Sequence, residues 1–346
     1  MDQIQKWPAL DVVKFIGILA MILAHAHFML ITDGYQIHDM SSFFYKITAQ
    51  YMFLGLFVMM LPMIAGAVLG AVGDVGIVKM IRVAVFISLL GFAMNAATWG
   101  ISYVFSWNVL QFVGLSFVVI ALIMRYFSLG EVLALSLITL FAAGPLRDHF
   151  VWTNNNYFLN IFIGADNQYT FWPFFPWFSL VGLGFVYASL YKKYLSSAVF
   201  NISALIAGLS LMMIGIVRHE ISPFLDPKYV WGPSLFQPKI GFVLGAIGLF
   251  CVLISLGNML FRNASFRKYG IINSYSKGIL WIYVAQMFLI FYLGIIMQVI
   301  FPTMHTFSPS YFILPVSMIF ISWFIGAKSI AMLHDRSLNI VLKKRA

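Results

Sequence analysis

The sequence predicts an all-α polytopic membrane protein of about ten transmembrane helices, with the N- and C-termini both cytoplasmic. Three observations predict this class: 62% of the 346 residues are apolar, only 9% are charged, and the mean hydropathy is +0.94. A soluble domain carries roughly a quarter charged residues. The composition therefore excludes disorder, a secreted disulfide scaffold and a nucleic-acid-binding module, and predicts one transmembrane domain over residues 1–346 in contact with the lipid bilayer.

The transmembrane helices are predicted from the lengths of the apolar stretches, because about 20 apolar residues cross the hydrocarbon core as a helix. The predicted spans are 9–32, 50–73, 80–99, 108–127, 131–144, 174–191, 201–217, 240–260, 278–301 and 311–333. The fifth is short and ends at Gly144-Pro145, which is also compatible with a re-entrant or tilted segment.

The orientation follows from the lysines and arginines in the connections. With the N-terminus inside, 15 of the 21 basic residues fall on the cytoplasmic side and five fall outside. Losing the fifth span would place the later basic loops on the wrong face. The formal charge of +10 therefore reflects membrane topology and does not indicate a nucleic-acid partner. We expect a multi-pass protein of a bacterial inner membrane.

The first span carries Asp11, Lys14, His25 and His27, and ionisable side chains within a membrane are costly, so each is a functional candidate. Asp11 and Lys14 are three residues apart and share a helix face. Lys14 and His25 are eleven residues apart, so they share a face and are separated by about 16 Å along the axis. His25 and His27 point about 200° apart and cannot bind one metal ion, so we expect no metal site.

This pattern suits a group-transfer reaction whose donor substrate enters from the cytoplasmic side and whose acceptor substrate binds from the extracytoplasmic side. A neutral imidazole at His25 can take a proton from a hydroxyl or amine near neutral pH, and the ammonium of Lys14 suits an anionic donor such as a phosphate-bearing thioester carrier. Two alternatives stay open: Lys14 can simply extend to the interface, and His25 can be an interhelical hydrogen-bonding residue.

The opening Leu10-Asp11 followed by Lys14-x10-His25 resembles the Arg-x10-His signature of acyltransferase-3 proteins. It also resembles the "LD…RG…M" opening of heparan-α-glucosaminide N-acetyltransferase-like proteins. Three later stretches resemble further motifs of that second branch, in the expected order: 107–114, 174–184 and 275–283. The sequence departs from the pattern at Lys14, where Arg is usual, at Phe112, where a middle-helix Arg is usual, and at Gln286, where the late helix often carries His.

The resemblance implies a membrane acyltransferase whose donor substrate is acyl-CoA, most simply acetyl-CoA, bound from the cytoplasm. Its pantetheine arm would enter the bundle, and an extracytoplasmic carbohydrate or cell-envelope glycan would accept the acyl group. His25 would be the general base, or the acyl carrier in a ping-pong reaction. Oxyanion stabilisation would need donors such as Asn95, Asn108 or Gln111, although Asn95 can equally be a packing residue.

Two further sets of residues are candidates for binding the substrates. Asp11 and Lys14 would meet the donor, and its phosphates would be held by Arg82, Arg125 and Lys192, although topology alone also explains these basic residues. For the acceptor, the candidates are Arg147, His149, Trp172 and Trp177. A solvated charged loop and an aromatic interface belt are the alternatives for these four.

Two other functions stay open. A secondary transporter or flippase would use discontinuous helices, and Pro62 with Gly66, Gly70 and Gly73 could break the second span. However, acidic residues are scarce within the spans. A non-enzymatic scaffold is the other alternative. The sequence leaves open the acceptor, O- versus N-acylation, the acyl chain length and the oligomeric state, a homo-oligomer included.

Overall fold

The computed structural model describes residues 7–32, 57–72, 76–150, 156–164, 170–194, 197–218, 238–261 and 270–300. Within these ranges the chain is helical, and the only β interaction is an isolated bridge between Trp107 and Thr170. The predicted all-α polytopic class is therefore confirmed. The tenth predicted span, residues 50–56 of the second and the side chain of His27 lie outside the described residues.

Ten α-helices are described. They are α1 (Pro8–Thr32), α2 (Leu61–Val72), α3 (Ile77–Trp99), α4 (Val109–Tyr126), α5 (Leu129–Phe150), α6 (Tyr157–Ile163), α7 (Phe174–Lys193), α8 (Ala198–Val217), α9 (Ile240–Leu260) and α10 (Gly270–Ile300). Each of the first nine predicted spans corresponds to one of them, and the short α6 was not predicted. Among the described residues, six helices are long and apolar enough to cross a membrane: α3, α4, α5, α7, α8 and α9.

Helix α5 corrects the predicted end of the fifth span. The helix does not stop at Gly144-Pro145 but continues to Phe150, with Pro145 inside it. Proline removes one intrahelical hydrogen bond, but membrane helices tolerate this where neighbouring groups satisfy the freed carbonyl. Its 22 residues extend about 33 Å, enough to cross the hydrocarbon core.

Helix α2 is continuous, unlike the broken helix that the transporter alternative would use. Gly66 and Gly70 do not break it, because the helix continues through both to Val72, while Gly73 lies outside the described residues. Pro62 lies in the first turn, where proline is tolerated. The glycines instead allow close packing: a β-carbon on Gly66 would lie 1.9 Å from the carbonyl oxygen of Val181 on α7. Small residues at such crossings let membrane helices approach closely.

Helix α7 lies at the centre of the described helices and packs against α2, α4, α5 and α9. Helix α1 packs against α10, α9 and α2, whereas α8 packs mainly on α9. Large apolar side chains on α3 and α8, such as Leu89, Ile206 and Val217, are more than half exposed. In a membrane protein this exposed apolar surface is where lipid contacts the bundle.

Side-chain contacts show that α1, α3 and α10 run parallel. Lys14 of α1 contacts Ser276 of α10, and His25 of α1 contacts Gln286 of α10. The residue numbers therefore increase in the same direction along both helices. The same holds for α3 and α10, which meet at Phe86 with Trp281 and at Ala97 with Tyr292. Parallel helices require an even number of crossings between their starts, and a full crossing by α5 fits this requirement.

Five of the described helices form a closed ring of neighbours. Helix α1 contacts α10, α10 contacts α3, α3 contacts α4, α4 contacts α2, and α2 contacts α1. On α10, Tyr275, Ile282 and Gln286 are each 1% exposed and share one face at spacings of seven and four residues. This buried face lies between the sides that contact α1 and α3, so it faces the interior of the five-helix ring.

Candidate functional site

The beginning of α1 holds an ion pair that is linked to α10. The ammonium of Lys14 lies 3.6 Å from Asp11 Oδ1 and donates to Ser276 Oγ at 3.2 Å. The hydroxyl of Ser276 donates in turn to Asp11 Oδ1. The expected pairing of Asp11 with Lys14 is therefore present, and a serine of α10 completes it. The half-buried cluster anchors the two helices at one end, here called the Lys14 end.

His25 lies eleven residues further along α1 and contacts α10. Its Nδ1 lies 3.0 Å from Nε2 of Gln286, and its ring centroid is 6.0 Å from that of Tyr283. Gln286 is 1% exposed, and among the described residues its Oε1 has no hydrogen-bond partner. The imidazole therefore lies within the bundle against a buried amide that keeps one acceptor available.

The three amide candidates meet where α3 ends and α4 begins. Asn95 Nδ2 donates to the carbonyl oxygens of Ser106 at 2.7 Å and Val104 at 3.3 Å, and Asn108 Nδ2 donates to Asn95 Oδ1 at 2.7 Å. Gln111 Oε1 accepts from the backbone N–H of Asn108 at 3.2 Å and completes a capping box. Only Gln111 keeps a buried donor, Nε2, without a partner among the described residues.

Gln111 lies at about the same depth in the bundle as Gln286. The steps from Phe86 to Ala97 and from Trp281 to Tyr292 both span eleven residues, so α3 and α10 advance together. Gly91, five residues beyond Phe86, is therefore level with Gln286. A β-carbon on Gly91 would lie 2.8 Å from the side-chain oxygen of Gln111. The buried amides of Gln111 and Gln286 thus share a level on two sides of the five-helix ring.

The candidate donor-binding residues fall at the Lys14 end. Trp7, next to the start of α1, stacks on Tyr191 at 4.2 Å, which places neighbouring Lys192 at this end. Arg82 lies in the second turn of α3, which runs parallel to α10, and Arg125 lies in the last turn of α4, which runs antiparallel to α3. Arg82 and Arg125 are exposed and Lys192 is half-buried.

The two candidate tryptophans lie at the opposite end, and both are buried. Trp177 is fully buried, and its ring centroid is 4.5 Å from that of Trp172. Trp172 stacks on Phe112 of α4 at 6.2 Å, and its carbonyl accepts from the Trp107 indole at 2.9 Å. Phe112, where a middle-helix Arg was the expected family residue, thus packs in an aromatic cluster. A sugar could meet these rings only inside this end, here called the Trp172 end.

Arg147 and His149 close α5 at the Trp172 end. The guanidinium of Arg147 donates to three carbonyl oxygens: Ile163 at 2.9 Å, Phe175 at 2.9 Å and Pro238 at 3.3 Å. It therefore ties the ends or beginnings of α5, α6, α7 and α9 together. His149 is exposed, and its ring contacts Phe150 edge-on at 4.8 Å. The structure places both residues near the tryptophans without showing a contact to an acceptor.

Sequence reasoning missed Ser276 and Gln286 as partners of the first helix. In the sequence, Ser276 belongs only to the family-like stretch 275–283, and Gln286 stands only as a departure from the family's histidine. Their spacing of ten residues almost equals the eleven between Lys14 and His25. A search for two polar pairs at matching spacing on parallel helices would have found them.

Comparison with known proteins identifies the family of the chain. The profile of the heparan-alpha-glucosaminide N-acetyltransferase catalytic domain matches residues 6–225, which is more than half of the 346 residues. The matched range includes α1 with Lys14 and His25, whereas α9 and α10 follow it. No curated protein and no solved structure shows a significant match. The chain therefore belongs to the heparan-alpha-glucosaminide N-acetyltransferase catalytic-domain family and is a membrane-embedded enzyme of the acetyltransferase type.

Proposed function

We propose that the protein moves an acetyl group from cytoplasmic acetyl-CoA to an extracytoplasmic carbohydrate or cell-envelope glycan, in a bacterial inner membrane. The observation that carries this proposal is the position of His25. It lies within the bundle, about 16 Å along α1 from Lys14, and contacts a buried amide of α10. A reactive imidazole at that depth can meet a donor from one end and an acceptor from the other.

The donor would enter at the Lys14 end. Lys14, Arg82, Arg125 and Lys192 all lie there, and ammonium and guanidinium groups bind phosphates such as those of CoA. Helices α1 and α10 of the five-helix ring join this end to His25, and we infer that the pantetheine arm follows the interior of the ring. Buried polar atoms without protein partners are costly, so the free acceptor of Gln286 and the free donor of Gln111 favour a polar ligand there, such as the thioester end of a pantetheine arm.

At His25 the imidazole would take the proton from the acceptor hydroxyl or amine as the acceptor attacks the thioester carbon. The carbonyl oxygen then becomes an oxyanion, and the side-chain N–H of Gln111 would stabilise it. Among the described residues Gln111 Nε2 is buried without a partner, whereas Asn95 donates to two carbonyls and Asn108 donates to Asn95. The C–S bond breaks, and the proton passes to the CoA thiolate. The products are the acetylated acceptor and free CoA.

The acceptor would approach the Trp172 end, where His149 is exposed and the buried pair Trp172 and Trp177 lies beneath. Aromatic faces suit sugar rings, and the heparan-alpha-glucosaminide of the family's name is a carbohydrate. No described feature favours the carrier alternative, since α2 is continuous through Gly66 and Gly70.

The test is acetyl transfer by the purified full chain in lipid nanodiscs, with radiolabelled acetyl-CoA and D-glucosamine as the probe acceptor. We expect His25→Ala to lose at least about a hundredfold in kcat, the usual contribution of a general base. Ser210→Ala on the lipid-facing α8 is the matched control and should keep wild-type activity. Activity of His25→Ala near the wild-type value would refute the catalytic assignment.

A second measurement separates an enzyme from a carrier. We expect acetyl-CoA to raise the unfolding temperature of the full chain saturably, because a ligand stabilises only the state that binds it. Counterflow of labelled sugar in proteoliposomes without any dependence on acetyl-CoA would instead support a transporter.

A further inference from the structure

We propose that Gln286 is a positioning residue that couples the orientation of its amide to the protonation of His25. The proposal rests on the proposed function of His25 as the reacting base. Gln286 lies on α10, beyond the range matched by the family, and stands where the resembling proteins often carry His. Its role is therefore a property of this chain's own residues.

The contact is direct and buried. The Nε2 of Gln286 lies 3.0 Å from Nδ1 of His25. In this orientation of the amide its N–H donates to an unprotonated Nδ1, and the proton of a neutral ring lies on the other nitrogen. The same amide has a buried oxygen without a partner among the described residues. A half-turn of the amide about its terminal side-chain bond exchanges the two atoms with little change in shape.

Each orientation suits one state of the ring. With the amide nitrogen toward Nδ1, the resting ring carries its proton on Nε2. Between the two states the amide rotates, Nδ1 takes a proton from water and Nε2 gives its proton to water, so the ring is neutral before and after. With the oxygen toward Nδ1–H, the ring's Nε2 is then unprotonated and can remove a proton from the acceptor. The imidazolium that forms keeps the same hydrogen bond to the amide oxygen until Nε2 returns its proton to the CoA thiolate. Glutamine is suited to this role because one amide provides both a donor and an acceptor.

Among the described residues, few charged groups lie near the ring, so the effect of Gln286 can be isolated. On α10, Tyr283 contacts the ring, and the charged Lys277 lies nine residues from Gln286, toward the Lys14 end. On α1, Asp11 and Lys14 are the described charged groups, and both lie at that end. Helix α2 has no titratable side chain, and α9 has only Cys251. No carboxylate of these four described helices lies beside His25.

The first experiment measures directly which nitrogen of the His25 ring carries the proton. The full chain is labelled with ¹⁵N-histidine, placed in lipid bilayers and measured by magic-angle-spinning NMR, and His25→Asn identifies the His25 signals among the seven histidines. In the wild type we expect the proton on Nε2. Gln286→Glu can only accept, so it should move the proton to Nδ1, and Gln286→Leu should give a mixture of the two forms. Asn273→Leu, an exposed amide of α10, is the control and should leave the signals unchanged.

Kinetics provide the second readout. We expect Gln286→Leu to lower kcat by roughly ten- to a hundredfold with little change in the KM for acetyl-CoA, by analogy with the loss found when the hydrogen-bond partner of a metal-ligating histidine is removed. Gln286→Glu should recover part of kcat and move the acidic limb of the pH–rate profile to higher pH, because a carboxylate stabilises the imidazolium. A purely structural role would not move that limb.

Different results would refute the positioning role of Gln286 and the proposed function of His25. His25 signals that are the same in the wild type, Gln286→Leu and Gln286→Glu would overturn the role of Gln286, whatever the activity. Full activity of His25→Ala would overturn the proposed function and leave the NMR result to judge the contact. If Gln286→Leu does not fold, the isosteric Gln286→Glu decides through the position of the ring proton.

Discussion

The side chain of Asn108 donates a hydrogen bond of 2.7 Å to Asn95 Oδ1, and this contact ties the start of α4 to the end of α3. Asn95 in turn donates to the carbonyls of Val104 and Ser106 within the connection. The two asparagines therefore use their donors for structure. Gln111, one turn into α4, keeps its donor free among the described residues. Under the proposed mechanism, we expect this difference to separate a structural role from a chemical one.

We expect Gln111→Glu to lower kcat of the folded protein by on the order of 10²-fold, together with a lower unfolding temperature because the added carboxylate is buried. The carboxylate still accepts from the backbone N–H of Asn108, and a negative charge is favourable at a helix N-terminus. Only the N–H donor is lost, and removing one oxyanion donor costs 10²- to 10³-fold. The check is acetyl transfer alongside thermal unfolding in nanodiscs. An unchanged kcat would remove Gln111 from the mechanism.

Asn95→Ala should affect stability rather than kcat, in contrast to the substitution of Gln111. It leaves the half-buried amide of Asn108 without its acceptor and the carbonyls of Val104 and Ser106 without their donor. An unsatisfied buried group costs about 1–3 kcal/mol. We expect a lower unfolding temperature, with kcat of the folded fraction close to wild type. A large loss of kcat at an unchanged unfolding temperature would instead give Asn95 a direct role in the chemistry.

Arg147 should affect stability more strongly than acceptor binding. A lysine ammonium cannot follow the planar guanidinium to the carbonyls of Ile163, Phe175 and Pro238 together. We expect Arg147→Lys to destabilise the protein by on the order of 3 kcal/mol, since hydrogen bonds to charged groups contribute about 1.5–3 kcal/mol each. Chemical denaturation measures this. A raised KM for D-glucosamine at unchanged stability would support the acceptor role instead.

The crossing of α2 and α7 depends on glycine. A β-carbon on Gly184 would lie 2.0 Å from the carbonyl oxygen of Met63, which is backbone and cannot rotate away. We expect Gly184→Ala to destabilise the protein by roughly 1–3 kcal/mol, the range for overpacking. Gly144→Ala is the matched control, because no heavy atom of the described chain lies within 4 Å of the added carbon. Equal unfolding temperatures of the two variants would contradict the close crossing.

Lys14 should affect the binding of acetyl-CoA rather than the chemical step. Removing its ammonium would leave the carboxylate of Asp11 at the proposed entrance, where it repels the phosphates of CoA. We expect Lys14→Met to raise the KM for acetyl-CoA about tenfold, or about 1.4 kcal/mol. Lys14→Arg should stay near wild type because it retains the positive charge. A loss of kcat at an unchanged KM would place Lys14 in the chemistry instead.

Some of the candidate site could be read from residue spacing. The eleven-residue step from Lys14 to His25 is a property of one helix, so α1 alone fixes their common face and their separation. Gln286 and Ser276 could not be paired with them in the same way, because the local sequence does not show which helix packs against α1. The roles of Arg147 and Trp177 were equally hidden, since the sequence does not show that a residue near a loop is bound to three carbonyls or fully buried.

By itself, the sequence determined the membrane class and the helices from α1 to α10 other than α6, because apolar length and composition are local properties. It also determined that an ion pair and a histidine share one face of α1. The tertiary structure decided what that face meets: Ser276 beside Lys14, and the buried amide of Gln286 beside His25. Which helices become neighbours depends on close crossings such as that of Gly184 with Met63, and such crossings arise from shape complementarity between segments distant in the chain.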